Sequence, residues 1–250
     1  MELAEILLAD PGPDEEWVLN AQMLAQRTLL AESRHVRTAN FRTIHTRDLA
    51  MLFDLYDKLF LEGRCRKALD GTDLRFRFAP RMTKSAGTTS KFVNPGGAMW
   101  FEISIASSML FDGFTENDHR EVTVCGVECV TRLDALQRVF EHELVHLMEF
   151  LCWGTSNCSG PRFQGIASSW FLHRTHTHAL ITRRERAAAS GIRPGTSVRF
   201  VYEGRLLRGV VNRVTKRATV LVEDPEGRRY SDGKLYRKYY IPIEWLEPAS

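Results

Sequence analysis

The 250-residue sequence has no uncharged apolar run approaching the roughly 18 residues that a membrane-spanning helix requires. It has no internal repeat and no low-complexity tract, which excludes collagen-like and repeat architectures. Its first residues, Met1-Glu2-Leu3-Ala4-Glu5, are acidic where a secretory leader is basic. Cysteine is scarce. The five present (Cys65, Cys125, Cys129, Cys152 and Cys158) are odd in number and do not form a disulfide framework. A reducing, cytoplasmic setting without membrane partners is therefore expected. An apolar fraction of 44% with 26% charged residues is ordinary for a globular chain and excludes a largely disordered one.

The net charge is only +3, but it is unevenly placed. Residues 1–180 carry 19 lysines and arginines against 23 carboxylates, whereas residues 181–250 carry 15 against 8. Such a change of sign suggests two modules, the second suited to a polyanion.

Helical spacing is expected over residues 14–33 and again after Thr46. In the second, Leu49, Leu52, Phe53, Tyr56, Leu59 and Phe60 recur at three- and four-residue steps up to Gly63. The pattern then turns to period two. Leu74, Phe76 and Phe78 alternate with arginines, residues 80–92 make a polar stretch turning at Gly87, and residues 99–105 follow Pro95-Gly96-Gly97. These three runs predict one small antiparallel sheet. Thr131, with Asp134 three residues on, caps a long helix over 131–152, and Pro161 opens another to Phe171. Residues 183–191 read as a linker. From Gly195 to Glu247, short β-rich runs (198–200, 207–214, 218–222 and 239–243), broken at Gly204, Asp224-Pro225, Gly227 and Gly233, predict a small all-β barrel.

The chemistry lies in His142-Glu143-Leu144-Val145-His146 on the long helix. Residues four apart share one helix face, so both imidazoles can serve one Zn2+, and Glu143 can reach a zinc-bound water as general base. A hydrolytic zinc needs a third protein ligand and an open position. Downstream candidates are Cys158, His173, His176 and His178, with His178 also a candidate cleft residue facing a developing oxyanion. His35, His45 and His119 lie outside any ligand spacing. Cys125 and Cys129 are expected to be buried free thiols, with Cys65 and Cys152 also in the core.

Four stretches resemble the SprT family of zinc metallopeptidases: Leu52–Phe60, Arg81–Gly87, Phe101–Ala106, and His142–His146 followed by Ser159-Gly160-Pro161-Arg162-Phe163. They span about residues 46–180. The resemblance implies a zincin-like domain over 1–182, helices packed on the small sheet, followed by a barrel of the Tudor or KOW kind over 192–250. It also implies peptide-bond hydrolysis on protein substrates, including proteins held on DNA. The family's third ligand is a histidine in a His-Gly-x-x-aromatic motif, and Ser159 stands there in this chain. Its neighbour Cys158 is favoured by position, and His173 remains the alternative. A helix over 161–171 is about 15 Å long, which separates those two residues. In the second module, Arg208, Arg213, Lys216 and Arg217, interleaved with tyrosines, are candidate nucleic-acid contacts. The rival expectations are an inactive zinc-containing nucleic-acid-binding protein and a toxin or phage-defence peptidase with one dedicated protein target.

Overall fold

The computed structural model describes residues 2–9, 11–114, 121–180, 183–215 and 217–249, apart from the side chains of 183, 184 and 186. It is a mixed α and β structure that divides into two compact units, Met1–Leu180 and Ile181–Ser250. No helix among the described residues is long and apolar enough to cross a membrane.

The first unit begins with helices α1 (Leu3–Leu7), α2 (Glu15–Glu32), α3 (Thr46–Leu61) and α4 (Arg64–Leu69). Asp14 caps α2 by accepting from the backbone N–H groups of Glu16 and Trp17. His45, rather than Thr46, is the N-cap of α3. Its Nδ1 accepts from Arg47 N, while Asp48 reaches back to His45 N at 2.7 Å. An imidazole nitrogen thus fills the acceptor role that a Ser, Thr, Asp or Asn side chain usually takes at a helix N-cap. Strands β1 (Asp73–Phe78), β2 (Gly87–Val93) and β3 (Met99–Ile105) then form one sheet. Its order is β1-β3-β2. The sheet is mixed rather than antiparallel: β2 and β3 make the expected hairpin, but β1 runs parallel to β3 on its far edge. The connection after β1 carries the chain past β3 instead of turning it directly back. A run of alternating residues indicates a strand but not its neighbour.

Helix α5 (Ser107–Gly113) and a two-stranded ribbon, β4 (Thr123–Val124) with β5 (Val127–Glu128), precede the central helix α6 (Arg132–Trp153). Thr131 and Asp134 make the anticipated reciprocal cap of α6, and the helix ends at Gly154. Its Leu133, Leu136, Val139, Phe140, Leu144 and Leu147 are buried against the surrounding elements. Each such apolar side chain contributes roughly 1.5–3 kcal/mol by leaving water. Helix α7 (Pro161–Phe171) follows.

Residues 183–189, expected to lie in a linker, form helix α8 (Arg183–Ala189), which opens the second unit. Ala187 and Ile192 are buried in that unit's own core with Val198, Phe200, Val211, Ala218, Val220, Ile241 and Leu246. The unit contains β6 (Ser197–Tyr202), β7 (Arg205–Val214), β8 (Ala218–Arg229), β9 (Leu235–Ile241) and β10 (Glu247–Pro248). The order is β10-β6-β7-β8-β9, and no pairing closes β9 onto β10 among the described residues. Among the described residues the expected small β-barrel is thus a bent five-stranded sheet without a closing strand pair. Strands β6 and β9 are three strand spacings apart, about 14 Å if flat, yet the Phe200 and Tyr239 rings approach to 5.7 Å. The expected break at Asp224-Pro225 and Gly227 is instead an irregularity within β8, where the register with β9 shifts between Glu223 and Arg228. Proline is tolerated in a strand at such a bulge because no ladder donor is needed there.

Candidate metal centre

One turn of α6 places the rings of His142 and His146 side by side, their centroids 5.0 Å apart. Phe163 of α7 packs on both, at 4.8 and 4.6 Å, so the aromatic that follows Ser159-Gly160 holds the imidazoles in place. The loop after Gly154 returns Cys158 to the same point. One nitrogen of His142, one of His146 and the Cys158 sulfur all lie within 4.8 Å of one another. His173 does not join that group; it lies with His142 and Cys125 in another set of the same spread. Of the two candidate third ligands, Cys158 shares the space between the paired histidines.

His146 is oriented from behind. Its Nδ1 meets Ser156 Oγ at 2.6 Å, and Ser156 donates to Glu149 Oε2 at 2.6 Å. Glu149 is 1% exposed and also accepts from Arg162 Nε and Asn157 N. A carboxylate that fixes one imidazole nitrogen through a hydroxyl leaves the other free for a metal. Burial first, and neighbouring histidines second, push the His142 imidazole down to about 3. Burial likewise takes His146 down to about 4, partly offset by Glu149. Both rings are therefore neutral near pH 7, the form a metal ligand needs.

Glu143 lines the same cleft and meets β2 through Thr89. The residue is 3% exposed and makes no salt bridge among the described residues, and burial raises its carboxyl to about 8 against the moderating bond from Thr89. Thr89 Oγ1 lies 2.8 Å from the Glu143 backbone oxygen and 2.9 Å from Oε2. A hydroxyl has a single hydrogen. Thr89 can donate to the backbone carbonyl while a neutral Glu143 donates to Thr89, so the protonated acid satisfies both contacts. Gly87 is required beside it. A Cβ built there would stand 2.6 Å from Glu143 Oε1 and 2.8 Å from its Cγ. Neither Gly87 nor Thr89 was identified as a site residue from sequence, although Gly87 was noted as a turn.

These groups line a cleft of about 520 Å³ bounded by Lys84–Thr89, Val124, Cys125, Cys158 and His176–His178. His178, anticipated as a cleft residue, does line it. A strap holds this wall: Val124 bridges His178, Cys125 N donates to Thr177 O at 2.7 Å, and Ala179 N donates to Thr123 O at 2.7 Å. Gly126 (φ +72°) makes the turn in which the strap approaches most closely, since a Cβ there would meet Arg174 Cβ at 2.9 Å. Cys65, Cys125 and Cys129 are buried free thiols, as expected. Cys152 and Cys158 are half-buried, and Cys152 is partly exposed rather than in the core.

In the second unit, Arg208, Arg213 and Arg217 are exposed and make no salt bridge among the described residues, while Lys216 and His119 lie outside them. Arg213 stands opposite Thr219, which stands opposite Tyr240, a row across three strands of one face. Comparison with protein-family models, curated proteins and solved structures yields no match.

Proposed function

We propose that the chain is a zinc-dependent metallopeptidase of the SprT-like type, with a zincin-like first unit and a second unit of the Tudor or KOW kind. The convergence of His142, His146 and Cys158 on one point, beside the buried acid Glu143, carries this reading. The donors suit the ion: two neutral imidazoles and a thiol form a borderline-soft set, and His146 has its outer nitrogen already engaged. When bound, zinc supplies a Lewis acid that polarises a carbonyl and acidifies water in the cleft. The thiolate of Cys158 makes that Lewis acid weaker than a third histidine would.

The protein's own residues perform the remaining work. Glu143, as the carboxylate that a neighbouring cation would favour, takes a proton from the attacking water and returns it to the leaving amine nitrogen, and Thr89 and Gly87 fix where its carboxyl points. His178, in the opposite wall, faces the developing oxyanion. Among the described residues strand β2 pairs with β3 on one side only, so its other edge can receive an extended peptide as an added strand. That favours protein substrates over small amides. In the second unit, exposed arginines that make no salt bridge among the described residues, together with exposed Tyr202 and Tyr240, support contact with nucleic acid, which would bring the peptidase to DNA-associated proteins. Retention of a thiol ligand requires a reducing compartment such as the cytoplasm.

Glu143→Gln is the deciding variant. It is expected to retain zinc, measured by atomic absorption, and to lose cleavage of an unfolded protein substrate. Full cleavage by this variant would sink the mechanism. The thiol at the third position favours one second reading, an inactive zinc-containing nucleic-acid-binding protein. That protein would show no cleavage in the wild type either.

A further inference from the structure

A second group of donors also includes His142. His142 Nδ1 is 3.7 Å from Cys125 Sγ. Sulfur and nitrogen bound to one tetrahedral ion, at roughly 2.3 and 2.0 Å, stand about 3.5 Å apart. The observed separation is close to that of two ligands of a shared cation. His173 completes the group: one of its nitrogens, the Cys125 sulfur and a His142 nitrogen all lie within 4.8 Å.

His173 is prepared as a ligand would be. Its side chain is 1% exposed, and Nε2 meets Glu141 Oε2 at 3.0 Å. Glu141 is itself fixed by Arg138 Nη1 at 2.8 Å and by Tyr56 Oη at 2.5 Å. His173 Nδ1 is buried and has no hydrogen-bond partner among the described residues. An unsatisfied buried nitrogen is costly, and a carboxylate on the opposite nitrogen is the usual outer support of a metal-bound imidazole. Cys125 is held by its backbone, whose oxygen accepts from Arg174 N and Thr175 N, at φ 54°. There is also a route in. Cys125 lines the 520 Å³ cleft, and His173 lines a separate cavity of about 600 Å³.

We propose that Cys125, His142 and His173 form a second seat for a soft d10 cation, zinc or cuprous copper, that competes with the first seat for His142. The competition follows from the chemistry of the ring. A neutral imidazole carries one lone pair for a metal and one proton, so a neutral His142 serves one seat at a time. An ion in the second seat leaves the proton on the nitrogen that faces His146 and Cys158. Filling the second seat then empties the first, which makes it an inhibitory site for the proposed peptidase. The existence of the seat is independent of the peptidase reading. The inhibition rests on it.

The test uses the full chain stripped of metal, with Co2+ as the spectroscopic probe. Combining His146→Ala with Cys158→Ser removes the first seat and leaves the second. This double variant is expected to bind one equivalent of Co2+ and to show a thiolate-to-cobalt charge-transfer band. Adding Cys125→Ser should abolish the band, and adding His173→Gln instead should weaken Co2+ binding at least tenfold. Zn2+ and Cu+ are then titrated against the cobalt, and the one that displaces it at the lower free concentration is the occupant. A double variant that is folded by circular dichroism but binds no cobalt would overturn the seat. So would a band that survives Cys125→Ser. Two equivalents held together by the wild-type chain would overturn the competition. A wild type that cleaves nothing while the double variant shows the band loses the peptidase reading and keeps the seat; the opposite pair of results does the reverse.

Discussion

Glu143 concentrates the consequences of its surroundings into one carboxyl group. In the metal-free protein, burial raises it to about 8, whereas an unfolded chain's glutamate titrates near 4.5. Folding therefore favours the protonated form. The stability this acid contributes is fully present below about pH 4.5 and is lost as pH rises through 8. Glutamine stays neutral and can donate to Thr89 as the protonated acid does. Glu143→Gln is expected to stabilise the metal-free protein progressively between about pH 4.5 and 8, by up to about 1.4 kcal/mol per pH unit, and by a constant amount above that. Urea midpoints of the two proteins across that range provide the measurement, and a gap that narrows with rising pH would contradict the assignment. The histidine shifts have the opposite sign but are common to both proteins. Gly87→Ala tests the same carboxyl from outside. A methyl 2.6 Å from Oε1 must push it aside, and a misplacement of about 1 Å costs on the order of 100-fold in rate. A fall in kcat of that order with zinc content unchanged is expected; unchanged kcat would mean that Glu143 is not held as described.

At the scale of elements, the spacing of apolar residues located the principal helices because each can be recognised from its own residues. Pro161–Phe171 matches the expected range, and α6 differs only at its ends. The paired histidines were legible for the same reason: four residues of one helix define their geometry. What surrounds them was not. Thr89 meets Glu143 from a strand 54 positions earlier, and no local pattern marks such a contact. Parallel pairing of β1 with β3 escaped notice on the same grounds. Glu149 carries no local signal of its role, yet it anchors the loop from Gly154 to Gly160 through Ser156, Asn157 and Arg162. Ser156→Ala cuts the link between Glu149 and His146. Its expected effect is a 10- to 100-fold loss of zinc affinity, the usual result of removing an outer partner from a metal-bound histidine. Competition with a fluorescent chelator measures this, and Ser156→Thr should restore most of it. Equal affinity in all three proteins would show that the hydroxyl does not orient the ring.

For the whole molecule, the small net charge conceals two units of opposite sign, an acidic one built around α6 and a basic one built on a bent sheet. The charge reversal was evident from composition. The helix α8 within the supposed linker was not, because a short run of alanines and arginines reads equally well as a connector or as a helix until Ala187 is seen buried. The basic unit makes a quantitative claim. Arg199 and Arg237 are neutralised by Glu247 and Asp224, whereas Arg208, Arg213 and Arg217 are three of the exposed charges that make no salt bridge among the described residues. If each neutralises one phosphate of single-stranded DNA, each contributes about 0.7 to the slope of log K against log salt. Replacing all three with alanine in the full chain should therefore flatten that slope by about 2 and weaken binding most at low salt. Tyr240→Ala should instead reduce affinity by a similar factor at every salt concentration, because a base stacked on an aromatic face releases no counterion. Fluorescence anisotropy with a labelled oligonucleotide separates these two signatures. An unaltered slope in the triple variant would remove this face as the anchor, leaving cleavage by the first unit to be judged on its own.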